Sequence, residues 1–367
     1  MILGAGLGIA GVAAPIATGA ATMFGPRGAC LASPDGPLYV SDTGHHRLLV
    51  WSRRPRHDHD PADFVFGQPD FVSEGRNARG DASAATLNVP TGVAAGGGAL
   101  AVADAWNHRV LIWHRAPVRA GQLPDVVLGQ ADFSGAHPNR GMRDARADTL
   151  NWYYGVALEG QRLFVADTGN RRVLVWNSLP QRHGAPADLV LGQRGFTTRD
   201  ENAGAGAGAT GMRWPHGVAM RGNALLVTDA GNNRVMVWAS FPSKSGTPCD
   251  FVLGQKDVQS VDHNQAAYFP TAASLNMPYS VAVQRDRVIV ADTANSRLLA
   301  FVGDALSMNA PARWLSAQET FGNKGDNRWG VATRNSLCWP YGVTVSGDTV
   351  VVADAGNNRA LLWETVP

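Results

Sequence analysis

Lysine is nearly absent from this 367-residue sequence: it occurs at Lys244, Lys256 and Lys324, so almost all of the positive charge is arginine. Charged residues of both signs make up only 17% of the chain and leave a net charge of +2. There is no basic run of the kind that nucleic-acid-binding arms carry, so nucleic acid is not an expected partner. The three cysteines, Cys30, Cys249 and Cys338, stand far apart without C-x-x-C spacing. That argues against a disulfide framework and a cysteine-based zinc site, and points to a reducing, cytoplasmic compartment. The G-x-S-x-G motif of serine hydrolases is missing, and no paired carboxylates stand out beyond the repeated aspartates described below. Met1 to Pro26 hold no charged side chain, yet they lack a basic n-region and are rich in Gly, Ala and Pro rather than Leu. Neither a signal peptide nor a membrane span is therefore expected, with export after N-terminal processing as the alternative.

What the chain does contain is glycine (42), proline (21) and tryptophan (11) in a background that is 45% hydrophobic. This composition suits short strands joined by turns. Self-comparison finds one motif written six times: LYVSDTGHHRLLVW, LAVADAWNHRVLIW, LFVADTGNRRVLVW, LLVTDAGNNRVMVW, VIVADTANSRLLAF and VVVADAGNNRALLW. Its aspartates (Asp42, Asp104, Asp167, Asp229, Asp292, Asp354) and arginines (Arg47, Arg109, Arg172, Arg234, Arg297, Arg359) recur at steps of 62 or 63 residues. A Pro-x-Gly-Val element precedes each copy, with Tyr153 replacing the proline in the third. A Leu-Gly-Gln-x-Asp-Phe element follows each copy but the last, degenerate in the fifth as LSAQETF.

Each repeat reads as four strands. Strand a follows the proline, b ends at the aspartate, c runs from the arginine to an aromatic residue, and d ends in Leu-Gly-Gln. The period-2 alternation in b and c is that of half-buried strands. Six four-stranded units predict an all-β, six-bladed β-propeller, with residues 1–367 as a single domain. The last repeat ends without strand d, while Leu3 lies 23 residues before Pro26, much as Leu191 lies 24 before Pro215. The N-terminus, about residues 1–10, is therefore expected to supply the outer strand of blade six and close the ring.

The VADTGN-x-RV run preceded by Pro-x-Gly-Val resembles the NHL-repeat family of β-propellers over essentially the whole chain, in a long-repeat variant marked by the Leu-Gly-Gln-x-Asp-Phe element. Within that family the peptide-amidating lyases imply one chemistry, zinc held by histidines beside a Tyr and an Arg. The NHL domains of tripartite-motif ubiquitin ligases imply another, RNA binding on a basic face. The loops here carry acids such as Glu74, Asp144 and Asp200 among their arginines, so their field largely cancels.

Six identical Asp–Arg pairs read as structural, and the aromatics ending strand c (Trp51, Trp113, Trp176, Trp238, Phe301, Trp363) read as packing between blades. The copies disagree at the residue after the motif proline: Arg27, Thr91, Tyr154, His216, Tyr279 and Tyr341. In a propeller this position lies at the mouth of the central channel, on the top face that the b–c and d–a connections share. Trp152, Trp214 and Trp339 just before it form an aromatic collar, and polar groups converging among apolar walls suit a small ligand. The d–a connections of about 18 residues are expected to form a rim or partial lid, with a mobile segment at Gly204 to Gly208.

The leading expectation is a monomeric propeller that binds a small molecule, peptide or protein at this face. Tyr154, Tyr279 and Tyr341 then supply walls, and Arg27 anchors an anionic group. The alternative is a lyase or hydrolase with His216 as base or metal ligand. No cofactor is predicted; zinc or calcium in the channel, held by His216 with loop residues such as His137 or His263, is the metal alternative.

Overall fold

Each b and c run pairs antiparallel across a single 3-10 turn, with the aspartate opposite the arginine, as in Asp42 with Arg47 and Asp167 with Arg172. The computed structural model describes residues 1–4 and 17–365. In it these hairpins are the centres of six four-stranded antiparallel sheets. Blade one comprises strands a (Gly28–Leu31), b (Leu38–Asp42), c (Arg47–Trp51) and d (Phe64–Phe66). The other blades repeat this order, and strand a of all six lines one central channel.

Blade six closes as the spacing predicts. Ile2–Leu3 pairs antiparallel with strand c of that blade, Ile2 opposite Leu361 and Leu3 opposite Ala360. The c–d connection of blade one fastens the strand from outside: the Ile2 N–H donates to Asp58 Oδ1 at 3.1 Å, and the His59 N–H donates to the Ile2 carbonyl at 2.9 Å. Residues 5–10 of the expected outer strand lie outside the described residues.

The alternation in b and c has a different cause from the one expected. These strands are buried on both faces, so it does not separate core from solvent. It sorts side chains between two blade interfaces. In blade two, Leu100, Val102, Leu111 and Trp113 pack toward blade one, whereas Ala101, Ala103, Val110 and Ile112 pack toward blade three. Six such clusters make up the core, and each terminal aromatic of strand c joins the cluster shared with the preceding blade. Tyr153, in place of the motif proline, is fully buried between blades two and three and donates its hydroxyl to the Arg109 carbonyl.

The Asp–Arg pairs tie the long connections to this core. Arg172 Nε donates to Asp167 Oδ2 at 2.7 Å, and its other nitrogens donate to the carbonyls of Phe196, Arg146 and Thr149. Asp167 Oδ1 accepts the Asn151 N–H at 2.8 Å. Both charges are completely buried, and this full set of bonds offsets the cost of removing them from water. The glutamine of the Leu-Gly-Gln element bonds carbonyls of the b–c turn, as Gln130 does with His108 at 3.1 Å. The residue before it holds a left-handed turn (φ 84° at Gly129), which Ala317 (φ 73°) maintains in the degenerate copy.

Candidate functional site

The variable residues of strand a converge at one end of a channel of about 400 Å3. Arg27, Thr91, Tyr154, His216, Tyr279 and Tyr341 all line it, so the six ring positions come together as expected. Five of them close into a circuit of side chains. The imidazole of His216 stacks on Tyr279 with 4.3 Å between centroids and 2° between planes, and its other neighbour, Tyr154, lies at 4.4 Å. Tyr279 meets Tyr341 at 4.7 Å, and the Arg27 guanidinium lies 4.8 Å from the centre of the Tyr341 ring. The guanidinium completes the circuit by donating to the Tyr154 hydroxyl. Thr91, between Arg27 and Tyr154 in ring order, is short, which lets arginine span the gap. Its hydroxyl instead donates to the Tyr154 carbonyl at 2.8 Å.

Burial sets the ionisation of these groups. His216 is pushed down from 6.5 to about 4 by burial, with a smaller push from Arg27, so it is neutral at physiological pH. Its Nδ1 contacts the Trp214 carbonyl at 2.9 Å. A carbonyl only accepts, so Nδ1 carries the proton and Nε2 the lone pair. Burial raises the Tyr279 and Tyr154 hydroxyls, and Arg27 opposes the rise in both. Deeper in the channel the wall is the inner edges of the six strands a, whose side chains such as Val156, Val218, Val281 and Val343 pack into the clusters between blades. Glu159 stands near the far end, its carboxyl raised by burial, as a channel residue that the ring position gave no reason to expect.

The tryptophans stand outside the ring. Trp152 (40% exposed) and Trp214 (37%) flank it on the top face, Trp339 is half-buried, and none of the three lines the channel. Trp152 meets Tyr154 edge-on at 5.6 Å. The d–a connections do not form the expected lid. None of their residues lines the channel, and each of the five described throughout is pinned to a b–c turn by an asparagine pair such as Asn139 with Asn170. The segment at Gly204 is bracketed by two such ties: Asn202 bonds Asn232, and the Gly211 carbonyl accepts from Arg234.

A latch between blades sets the backbone ahead of the ring. Gly25, Val89, Trp152, Met277 and Trp339 all adopt left-handed φ between 40° and 55°. That conformation is costly for a large or β-branched side chain. In each case the backbone N–H donates to a side chain on the b–c turn of the preceding blade: Asn358 Oδ1, His46 Nδ1, His108 Nδ1, Asn233 Oδ1 and Ser296 Oγ, at 2.8–3.2 Å. The sixth such position is Arg171, which has no acceptor atom, and Trp214 is outside the left-handed region. This turn position is not among the residues that the repeated motifs single out. Its signal was the run His46, His108, Arg171, Asn233, Ser296, Asn358, in which one member alone cannot accept a hydrogen bond.

Among the described residues no three His, Cys, Asp or Glu come together. The Nδ1 of His216 is committed to a carbonyl and its ring lies between two tyrosines, while His137 and His263 do not line the channel. His57 and His59 belong to the c–d connection that holds the N-terminal strand.

The NHL-repeat family model matches residues 87–113, which span the second copy of the motif. No curated protein matches the sequence. In fold the chain is similar to hydrazine synthase from Kuenenia stuttgartiensis, with a TM-score of 0.52, 12% identity, and coverage of 98% of this chain and 99% of that one. It is also similar to a Bacteroides thetaiotaomicron protein of unknown function (TM-score 0.51, 10% identity, 94% and 70% covered). A gluconolactonase from Xanthomonas campestris superposes less closely (TM-score 0.49, 14% identity, 94% and 87% covered). At these identities the likeness is one of fold alone. Among the described residues no helix is long and apolar enough to cross a membrane.

Proposed function

This chain is a six-bladed NHL-repeat β-propeller, and from that premise we propose that it binds a small anionic molecule at the channel mouth, with Arg27 as anchor. The observation that carries this reading is the state of Arg27. The six repeat arginines are each paired with an aspartate, whereas Arg27 makes no salt bridge among the described residues and donates one side-chain hydrogen bond, to Tyr154. A guanidinium with unused donors in an aromatic setting is a receptor for carboxylate or phosphate, because a charge-assisted bond strengthens as water is excluded. The tyrosines and His216 supply flat faces beside it. The test is a thermal-shift screen of carboxylates and phosphates against wild type and Arg27→Met. An anion at 100 times its Kd stabilises the protein by about 2.7 kcal/mol. That gain is expected in wild type and absent in the variant.

One observation favours a second, catalytic reading of the same site. His216 is neutral with its lone pair on Nε2, the form that a general base takes. On this reading wild type converts an anion that it binds, and His216→Gln still binds it but no longer converts it.

A further inference from the structure

Blade four departs from the other five immediately before His216. The N–H of Trp214 donates to Asp229 Oδ1 at 3.1 Å within its own blade, instead of to the preceding blade's turn. Its carbonyl accepts at 2.9 Å the N–H of Ala230, one residue past Asp229. In the other blades the N–H two residues past the aspartate donates to the carbonyl one position earlier, as Ala294 does to Asn276 and Gly356 to Cys338, and in blade three Gly169 reaches both Asn151 and Trp152. The same carbonyl receives His216 Nδ1. The connection into blade four is thus displaced by one residue where the latch position holds Arg171. That side chain turns back on its own loops and donates to the carbonyls of Gly169 and Arg199 at 3.3 and 3.2 Å.

We propose that Arg171 is a positioning residue for the channel mouth: by denying Trp214 a latch acceptor, it turns the Trp214 carbonyl onto His216 and leaves Nε2 as the acceptor the ring presents to a ligand. Nothing among the described residues bonds Nε2. On the reading given above for Arg27, the ligand then carries an anionic group for the guanidinium and a hydrogen-bond donor for the imidazole. Its class is a hydroxycarboxylate or a similar donor-bearing acid. An acid without a donor leaves a buried acceptor unpaired, a recurring source of selectivity at polar sites.

Two variants test the positioning role in ligand-free protein, read by the ring 15N shifts of His216. Arg171→Asn restores the acceptor found at Asn233 and Asn358. It is expected to latch Trp214 and move His216 off the single Nδ1–H tautomer. Arg171→Ala supplies no acceptor and is expected to leave the wild-type tautomer. An unchanged His216 in Arg171→Asn overturns the proposal, and so does an equal change in both variants. Paired titrations test the ligand class, with 3-phenyllactate against 3-phenylpropionate as probes. Binding of the hydroxy acid at least tenfold tighter in wild type, with the preference lost in Arg171→Asn, is the expected result. Equal binding of the two acids removes the donor requirement while leaving the Arg27 anchor standing. Binding of neither acid removes the donor requirement and counts against the anchor too, whereas the tautomer result holds either way.

Discussion

His216 and Tyr279 lie parallel, 4.3 Å apart, at the mouth of a channel whose other walls are contributed by all six blades. The two residues occupy the same position in successive repeats. Their stacking shows how a propeller gathers one position of a repeated sequence into a single cluster. Symmetry delivers six side chains to one point, and their chemistry is free to differ there because the blades are held together elsewhere.

The histidines make stability depend on pH. His216 and His108 are both held near 4 against an ordinary value of 6.5, each chiefly through burial. The folded protein therefore favours the neutral forms, and the unfolded chain takes up protons first as the pH falls. Their contribution is complete above about pH 6.5 and is lost progressively toward pH 4. Urea unfolding at pH 7, 5.5 and 4.5 should show that decline. His108→Asn keeps an acceptor for the Trp152 N–H, as Asn233 does for Met277, and is expected to make the decline shallower.

Arg172→Met is expected to cost about 3–5 kcal/mol, because it leaves Asp167 buried without its counter-charge. The carbonyls of Phe196, Arg146 and Thr149 lose their donor as well, so the connections into and out of blade three should gain proteolytic sensitivity. Denaturant unfolding with limited proteolysis checks both effects. A cost below about 1 kcal/mol is the surface-pair range and would remove the pinning role.

Closure by the N-terminal strand predicts a disproportionate effect from a two-residue element. Leu3 is fully buried among residues of blades six and one. Leu3→Ala is expected to cost about 2–5 kcal/mol, the range for a large-to-small change in a packed core. Removing residues 1–10 should lower the melting temperature further, and unchanged stability in both variants would contradict the closure.

Most of the fold is legible because repetition multiplies a weak signal. One Val-x-Asp-x-x-x-x-Arg segment is an ordinary hairpin, but six at steps of 62 or 63 residues leave little choice beyond a propeller. The ring was legible for the converse reason: positions such as His216 and Tyr279 vary where Asp229 and Arg234 do not. The burial of both faces of strands b and c was not, since alternation looks the same whether it separates core from water or one interface from another. Trp113 and Ile112 are adjacent in sequence and serve opposite interfaces, which the packed structure alone reveals. Arg171 escaped notice because its effect travels through backbone hydrogen bonds to the next blade, more than 40 residues downstream at Trp214.

Calorimetric titration of wild type and Arg27→Met with the best-binding carboxylate or phosphate from the thermal-shift screen tests the central claim most directly. Loss of a charge-assisted bond of about 1.5–3 kcal/mol predicts a Kd weaker by about 10- to 150-fold in the variant, with its unfolding curve otherwise close to wild type. Equal affinity in the two proteins would mean that the anion does not use Arg27, and would contradict the assignment of the channel mouth as its site.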